Sequence, residues 1–148
     1  MSDLPAIGTP LGPYTLQSVL GTGGVATVFR ARHKVLGSTH AIKLLHLPAP
    51  SLRRRLLLEG SLQARVRHPN LVPVTDTVEW QGLPGLVLEY IEGPDLEQWN
   101  EGRPLSLPTL NAIATGLFGG VRALHEAGYA HRDLKPANVL MQPNGGTW

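Results

Sequence analysis

His131-Arg132-Asp133-Leu134-Lys135-Pro136-Ala137-Asn138-Val139-Leu140 is the stretch on which the reading of this chain turns. It sets a carboxylate beside a guanidinium, with an ammonium two residues on and a carboxamide five residues on. Upstream, Ser106 and Pro108 open a long predicted helix. Its stripe at 100° per residue is Leu110, Ile113, Ala114, Leu117, Val121 and Leu124, and Gly128 fits its C-terminal cap. Downstream, Val139-Leu140-Met141 is predicted as a short strand and Pro143-Asn144-Gly145-Gly146 as a hairpin turn. A loop of this composition could follow a helix by chance, so the elements before it decide.

The chain has 148 residues, enough for one ordinary domain. Lys and Arg number 13 against 11 Asp and Glu, and the net charge of +2 is too small to suggest nucleic acid. There is no cysteine, which excludes disulfides, thiol catalysis and Cys-ligated zinc. No apolar run approaches the roughly 18 residues that mark a transmembrane helix. Met1-Ser2-Asp3-Leu4-Pro5 lacks the basic and apolar regions of a secretory signal. The expected compartment is the cytosol.

Residues 1–13, with three prolines and two glycines, read as a loose lead-in. Tyr14 to Leu20 and Val25 to Ala31 read as strands around the turn Gly21-Thr22-Gly23-Gly24, and His40 to Leu45 as a third. Ser51 is the predicted cap of a helix running to about Val66, with Leu52, Leu56, Glu59, Gln63 and Val66 on one face. A carboxylate on that face is costly unless paired, and Gly60 costs the helix about 1 kcal/mol relative to alanine. Leu71 to Trp80 and Leu83 to Ile91 read as two more strands. Gly93-Pro94 breaks the pattern before a short polar helix, Leu96 to Asn100.

Gly21-Thr22-Gly23-Gly24-Val25-Ala26-Thr27-Val28 fits G-x-G-x-x-G-x-V except at Ala26. Glycines let a backbone approach phosphates and aim N–H groups at them. A dinucleotide-binding loop would need a helix after the glycines, and a Walker A loop would need G-K-[ST]; neither is present. An ordinary hairpin turn using glycine for positive φ stays open. Ala26 adds a methyl where the backbone would approach a nucleotide, which predicts weakened phosphate contact. In Ala41-Ile42-Lys43, the lysine points away from its neighbours Ile42 and Leu44 if the segment is a strand. The plain alternative makes Lys43 a solubility residue and Glu59 a surface charge. His33, His40 and His46 show no metal-ligand spacing. Arg53-Arg54-Arg55 reads as a solvated helix face running against the helix dipole.

In their order, the glycine-rich loop, the lysine strand and the loop H-R-D-L-x-x-x-N resemble the Ser/Thr protein kinases of the eukaryotic-like bacterial type, from Tyr14 to about Trp148. Leu134-Lys135-Pro136 favours Ser/Thr over Tyr kinases. The resemblance implies an α+β, protein-kinase-like fold: the lead-in over 1–13, a five-stranded ATP-binding N-lobe with one helix over 14–92, and the start of a helical C-lobe over 93–148. It implies ATP and Mg²⁺, and a protein substrate bearing a Ser or Thr hydroxyl. Asp133 is implied to accept or orient the hydroxyl proton, Asn138 to bind Mg²⁺ and Lys135 to neutralise the transferred phosphoryl. Gly21, Gly23 and Gly24 fall on the phosphates, and Lys43, oriented by Glu59, on the α- and β-phosphates. Backbone near Glu89 and Ile91 falls on the adenine edge, Leu20, Val28 and Ala41 on its faces, and Leu88 at the back of the pocket. His131 would hydrogen-bond the loop, and Arg132 would receive a phosphorylated activation loop.

The pattern departs from the family at Ala26, and no Asp-Phe-Gly metal ligand appears before Trp148. The expectation is a piece with an incomplete helical lobe, an exposed apolar stripe on its long helix and little phosphoryl transfer alone. Two other functions fit parts of the sequence. A non-catalytic, pseudokinase-like binding module fits the missing metal aspartate. A kinase-fold small-molecule phosphotransferase shares the His, Asp and Asn but generally not Leu-Lys-Pro. The oligomeric state is left open.

Overall fold

The computed structural model describes residues 4–142, so the hairpin turn expected over Pro143 to Gly146 lies outside the described residues. The chain forms two compact units, one of residues up to 64 with 73–90, the other of residues 65–72 with 91 onward.

The first unit is an antiparallel sheet. Its strands are β1 (Pro10–Leu11), β2 (Tyr14–Thr22), β3 (Ala26–His33), β4 (Thr39–Leu45), β5 (Val74–Trp80) and β6 (Leu83–Glu89). They lie in the order β1-β2-β3-β4-β6-β5. The sheet therefore has six strands where the sequence predicts five. Pro10 and Leu11 are not loose lead-in: they pair with Thr15 and Tyr14, and Leu11 is buried. β5 starts at Val74 rather than Leu71. Pro73 accepts a hydrogen bond from Glu89 N (2.9 Å) but has no N–H with which to extend the ladder. β6 ends at Glu89, two residues short of expectation.

The period of two divides the sheet into faces. Phe29, Ile42 and Val87 are cross-strand neighbours and, with Leu11, Tyr14, Leu16, Ala31 and Leu44, fill a buried cluster. A side chain such as Phe29 or Ile42, fully withdrawn from water, contributes about 1.5–3 kcal/mol. The opposite face carries Ala26, Val28, Lys43, Leu45 and Leu86. On it lies α1 (Pro50–Gln63), which buries Leu56 and Gly60 against the sheet. Ser51 is not its cap. The N-cap is Ala49, without a side-chain hydrogen bond, and Pro50 starts the helix through its fixed φ. Val66 falls beyond the helix end.

Tyr14, the first residue of β2, anchors a polar group that includes Asp76 of β5. Its hydroxyl donates to Asp76 Oδ2 (3.1 Å), and its ring meets His33 and His40 edge-on at 5.2 and 5.1 Å. His40 Nε2 lies 2.8 Å from Ser38 Oγ, while Nδ1 is buried without a partner. Burial, then the charge of His33, pulls the His40 pKa below its ordinary 6.5, with Asp76 opposing.

In the second unit, α2 (Leu96–Asn100) begins at Asp95, whose carboxylate accepts from Gln98 N while Gln98 reaches back to Asp95 N. The long helix, α3 (Leu107–Glu126), is capped by Ser106 Oγ, which accepts from Thr109 N at 3.3 Å. It ends where expected. Gly128 has φ +80°, its N–H donates to His125 O, and Tyr129 N–H donates to Leu124 O, both at 2.9 Å. Ile113 and Leu124 are buried, whereas Leu110 is exposed. Gly120 lets α3 approach residues 68–71: a Cβ there would stand 3.0 Å from Asn70 O. Val139 to Met141 do not form a strand; one bridge, Asp95 to Leu140, ties the segment to the start of α2. No helix of the described residues is long and apolar enough to cross a membrane.

Two outcomes follow. A histidine whose pKa is lowered by folding takes up its proton more readily in the unfolded chain, so its contribution is complete above about pH 6.5 and is lost as pH falls below it. The unfolding midpoint should therefore drop on acidification through that value, and His40→Asn should flatten this limb; parallel curves for the two proteins would contradict the assignment. Gly128→Ala should lower stability in urea unfolding by about 1 kcal/mol, the cost of a left-handed alanine, and no change would contradict the cap.

Candidate active site

Three groups of the expected residues lie in the first unit. The glycine turn connects β2 to β3, and Gly21, Gly23 and Gly24 are all exposed. None has positive φ. A Cβ on Gly21 or Gly24 would meet nothing within 4 Å, and one on Gly23 would meet only Ala26 O, at 3.6 Å. The plain hairpin reading, which needs glycine for positive φ, is thus not what the turn displays. The fold itself does not require glycine at these positions.

Ala26, where the chain departs from the glycine pattern, faces inward. It is the first residue of β3, 6% exposed, and packs with Leu45, Leu56 and Leu86. Its methyl belongs to the core beneath the turn. The turn is braced by a residue that the sequence passes over. His46 Nε2 lies 3.2 Å from Gly24 O and Nδ1 3.3 Å from Thr27 Oγ1, while His46 N donates to Val25 O at 3.1 Å. The sequence signal for such a brace is a histidine placed just past the strand that pairs with β3.

Lys43 sits in β4 between the buried Ile42 and Leu44, with Val28 and Leu86 as cross-strand neighbours. Its Nζ lies 3.5 Å from Glu59 Oε1 on α1, with the side chains 36% and 25% exposed. The pair that the apolar setting of Glu59 calls for is therefore present. Ala41 is opposite Leu88 on the same face as Lys43, and both are half-buried. Leu20 lies at the register shift between Val19 and Gly21 and is largely exposed. Glu89 closes β6, its N–H already given to Pro73 O.

The second unit holds Ile91, half-buried, and the loop from His131. Asn138 Nδ2 donates to both Asp133 O (2.8 Å) and Asp133 Oδ2 (3.1 Å). Lys135 Nζ lies 3.7 Å from the same Oδ2. Asp133 N donates to His131 Nδ1 at 3.3 Å, so this histidine serves the loop backbone as expected. A short 3₁₀ turn, Pro136–Asn138, brings the amide back onto Asp133, with Asn138 N bonded to Lys135 O. Arg132 holds φ +63°, a left-handed conformation that a non-glycine residue adopts only under constraint. The Asp133 and Lys135 side chains are 65% and 55% exposed, leaving the carboxylate open to a reacting group. His125 is exposed at the end of α3.

Comparison with known proteins bears on this arrangement. The model of the protein kinase domain family matches residues 14–147. The serine/threonine-protein kinase PknH of Mycobacterium tuberculosis is 35% identical over 139 aligned positions, which cover 91% of this chain and 22% of PknH. PkaA of Streptomyces coelicolor is 37% identical, with 93% and 28% covered. A double mutant of the M. tuberculosis PknI kinase domain matches with a TM-score of 0.85 at 28% identity, over 98% of this chain and 60% of that one. The chain thus spans about a quarter of the length of these curated relatives and about three fifths of that solved domain. With its paired Lys43 and Glu59 and the Asp133–Asn138 loop both inside the matched segment, the chain belongs to the protein kinase domain family, among the serine/threonine kinases of bacteria.

Proposed function

We propose that the chain carries the nucleotide-binding and hydroxyl-activating parts of an ATP-dependent serine/threonine protein kinase. The observation that carries this reading is the open Asp133 carboxylate, held by the Asn138 amide and flanked by the Lys135 ammonium. The glycine turn adds to it, because nothing within the fold accounts for three glycines there, whereas close approach of a phosphate does.

Lys43, oriented by Glu59, takes the α- and β-phosphates as a point charge. Val28, Ala41 and Leu88 meet the adenine from one sheet face, with Leu20 on its other side. Since the Glu89 N–H is engaged, contact to the base edge falls to the Glu89 carbonyl and the backbone of Ile91. Among the described residues no group of three or more His, Asp or Glu could hold a metal by itself. Asn138 suits Mg²⁺ as one ligand, because both hydrogen bonds of its amide run through Nδ2 and leave the hard oxygen Oδ1. Phosphate oxygens and water would be further ligands, and the ion would supply charge neutralisation on those phosphates.

The protein's own groups do the rest. Asp133 takes the proton of a Ser or Thr hydroxyl as its oxygen bonds to the γ-phosphorus and the bond from that phosphorus to the ADP oxygen breaks. Lys135 offsets charge on the phosphoryl oxygens in transit.

Assayed as the complete gene product, the kinase should label Ser or Thr of a generic protein substrate from Mg·ATP. Asp133→Asn should cut kcat by about 10²–10⁴-fold, the usual worth of a positioned base, with KM for ATP little changed. Undiminished labelling by Asp133→Asn would contradict the role, and labelling of small hydroxyl compounds alone would point to a small-molecule phosphotransferase. Gly24→Val should keep the unfolding free energy within about 0.5 kcal/mol yet weaken Mg·ATP binding about tenfold. A loss of stability without loss of binding would make these glycines structural.

A further inference from the structure

The contact between Lys43 and Glu59 depends on how closely α1 lies on β6, and the residue at the point of closest approach is Gly60. It follows Glu59 directly and is buried. A Cβ on Gly60 would overlap Leu86 Cδ2 and stand 3.1 Å from Cδ1 and 3.4 Å from Cγ. Its φ is not left-handed, so the backbone gives no reason for glycine. Alanine is the better helix former at such a position, and the explanation must lie in the contact.

Leu86 is the cross-strand partner of Lys43. A closed circuit results: Glu59 adjoins Gly60, Gly60 rests on Leu86, Leu86 pairs with Lys43, and Lys43 returns to Glu59 at 3.5 Å. Leu86 cannot yield easily, being 1% exposed and packed with Ala26, Leu45 and Leu56. A side chain at residue 60 would move the helix instead. The pair has little tolerance, since a shift of about 1 Å carries it beyond ion-pair distance, and displacements of that size are known to cost function heavily.

We propose that Gly60 is a positioning residue: its lack of a side chain seats α1 on Leu86 at the spacing at which Glu59 reaches Lys43. The functional part of this inference rests on the reading of Lys43 as the nucleotide lysine.

The test is a cycle of Gly60→Ala, Leu86→Val and the double variant, each examined by crystallography and by Mg·ATP titration. In Gly60→Ala the Lys43 Nζ to Glu59 Oε1 distance should exceed the present 3.5 Å and affinity should fall about tenfold, as for loss of one charge-assisted contact. In the Leu86→Val background, where the obstructing Cδ atoms are gone, adding Gly60→Ala should leave both distance and affinity as that background has them. An unchanged ion pair in Gly60→Ala overturns the proposal. So does lowered stability in Gly60→Ala with affinity unmoved and the pair intact. If Gly60→Ala does not fold, the double variant decides: folded with the pair made supports the proposal, and unfolded or with the pair broken overturns it. A pair that opens and closes through the cycle while affinity stays constant supports the positioning role and rejects the nucleotide role of Lys43.

Discussion

The seating of α1 on the sheet decides whether a lysine with two buried strand neighbours can meet a carboxylate on that helix. A half-exposed ion pair adds little stability by itself, so the Lys43–Glu59 contact does not hold strand and helix together. The dependence runs the other way. Ala26, Leu45, Leu56 and Leu86 form the apolar layer that fixes α1 on the sheet, and the charges meet because that layer is tightly filled. Even the departure of Ala26 from the family pattern of glycines fits this arrangement, since its methyl belongs to that layer.

The glycine turn and the Asp133 loop solve opposite problems. The turn is open and bare, tied by main-chain bonds and by His46 bridging Gly24 and Thr27, and it offers backbone with no side chain in the way. The loop is built from side chains, with the Asn138 amide holding the Asp133 carboxylate from two sides and a left-handed Arg132 setting up the geometry. Close approach of a phosphate to bare backbone suits the first design, and proton transfer at a fixed oxygen suits the second.

Much of this was legible in the sequence because the informative residues sit at fixed spacings. Strand-forming runs between turn residues marked β2, β3, β4 and β6, Ser106 and Gly128 marked both ends of α3, and an acidic residue on an apolar helix face pointed to a partner that Lys43 supplies. What stayed hidden depends on contacts distant in sequence. Two residues are too few to show a period, so β1 was missed although Leu11 is buried. Pro50 rather than Ser51 begins α1, since a proline can start a helix without a side-chain cap. Gly60 and Gly120 look like blemishes in helices until Leu86 and Asn70 are seen against them. Ala26 reads as part of a phosphate loop until the register with Leu45 turns it into the core.

The central claim is that the glycine turn, free of side chains on its three glycines, is where the chain takes the phosphates of a nucleotide. At 148 residues the chain is well within reach of backbone amide NMR, and titration with Mg·ATP reads every amide at once. The account predicts that the amides of Gly21, Gly23 and Gly24 shift together along a single saturable isotherm. Glycine amides that stay unmoved through the titration, or that shift without saturating, would contradict it.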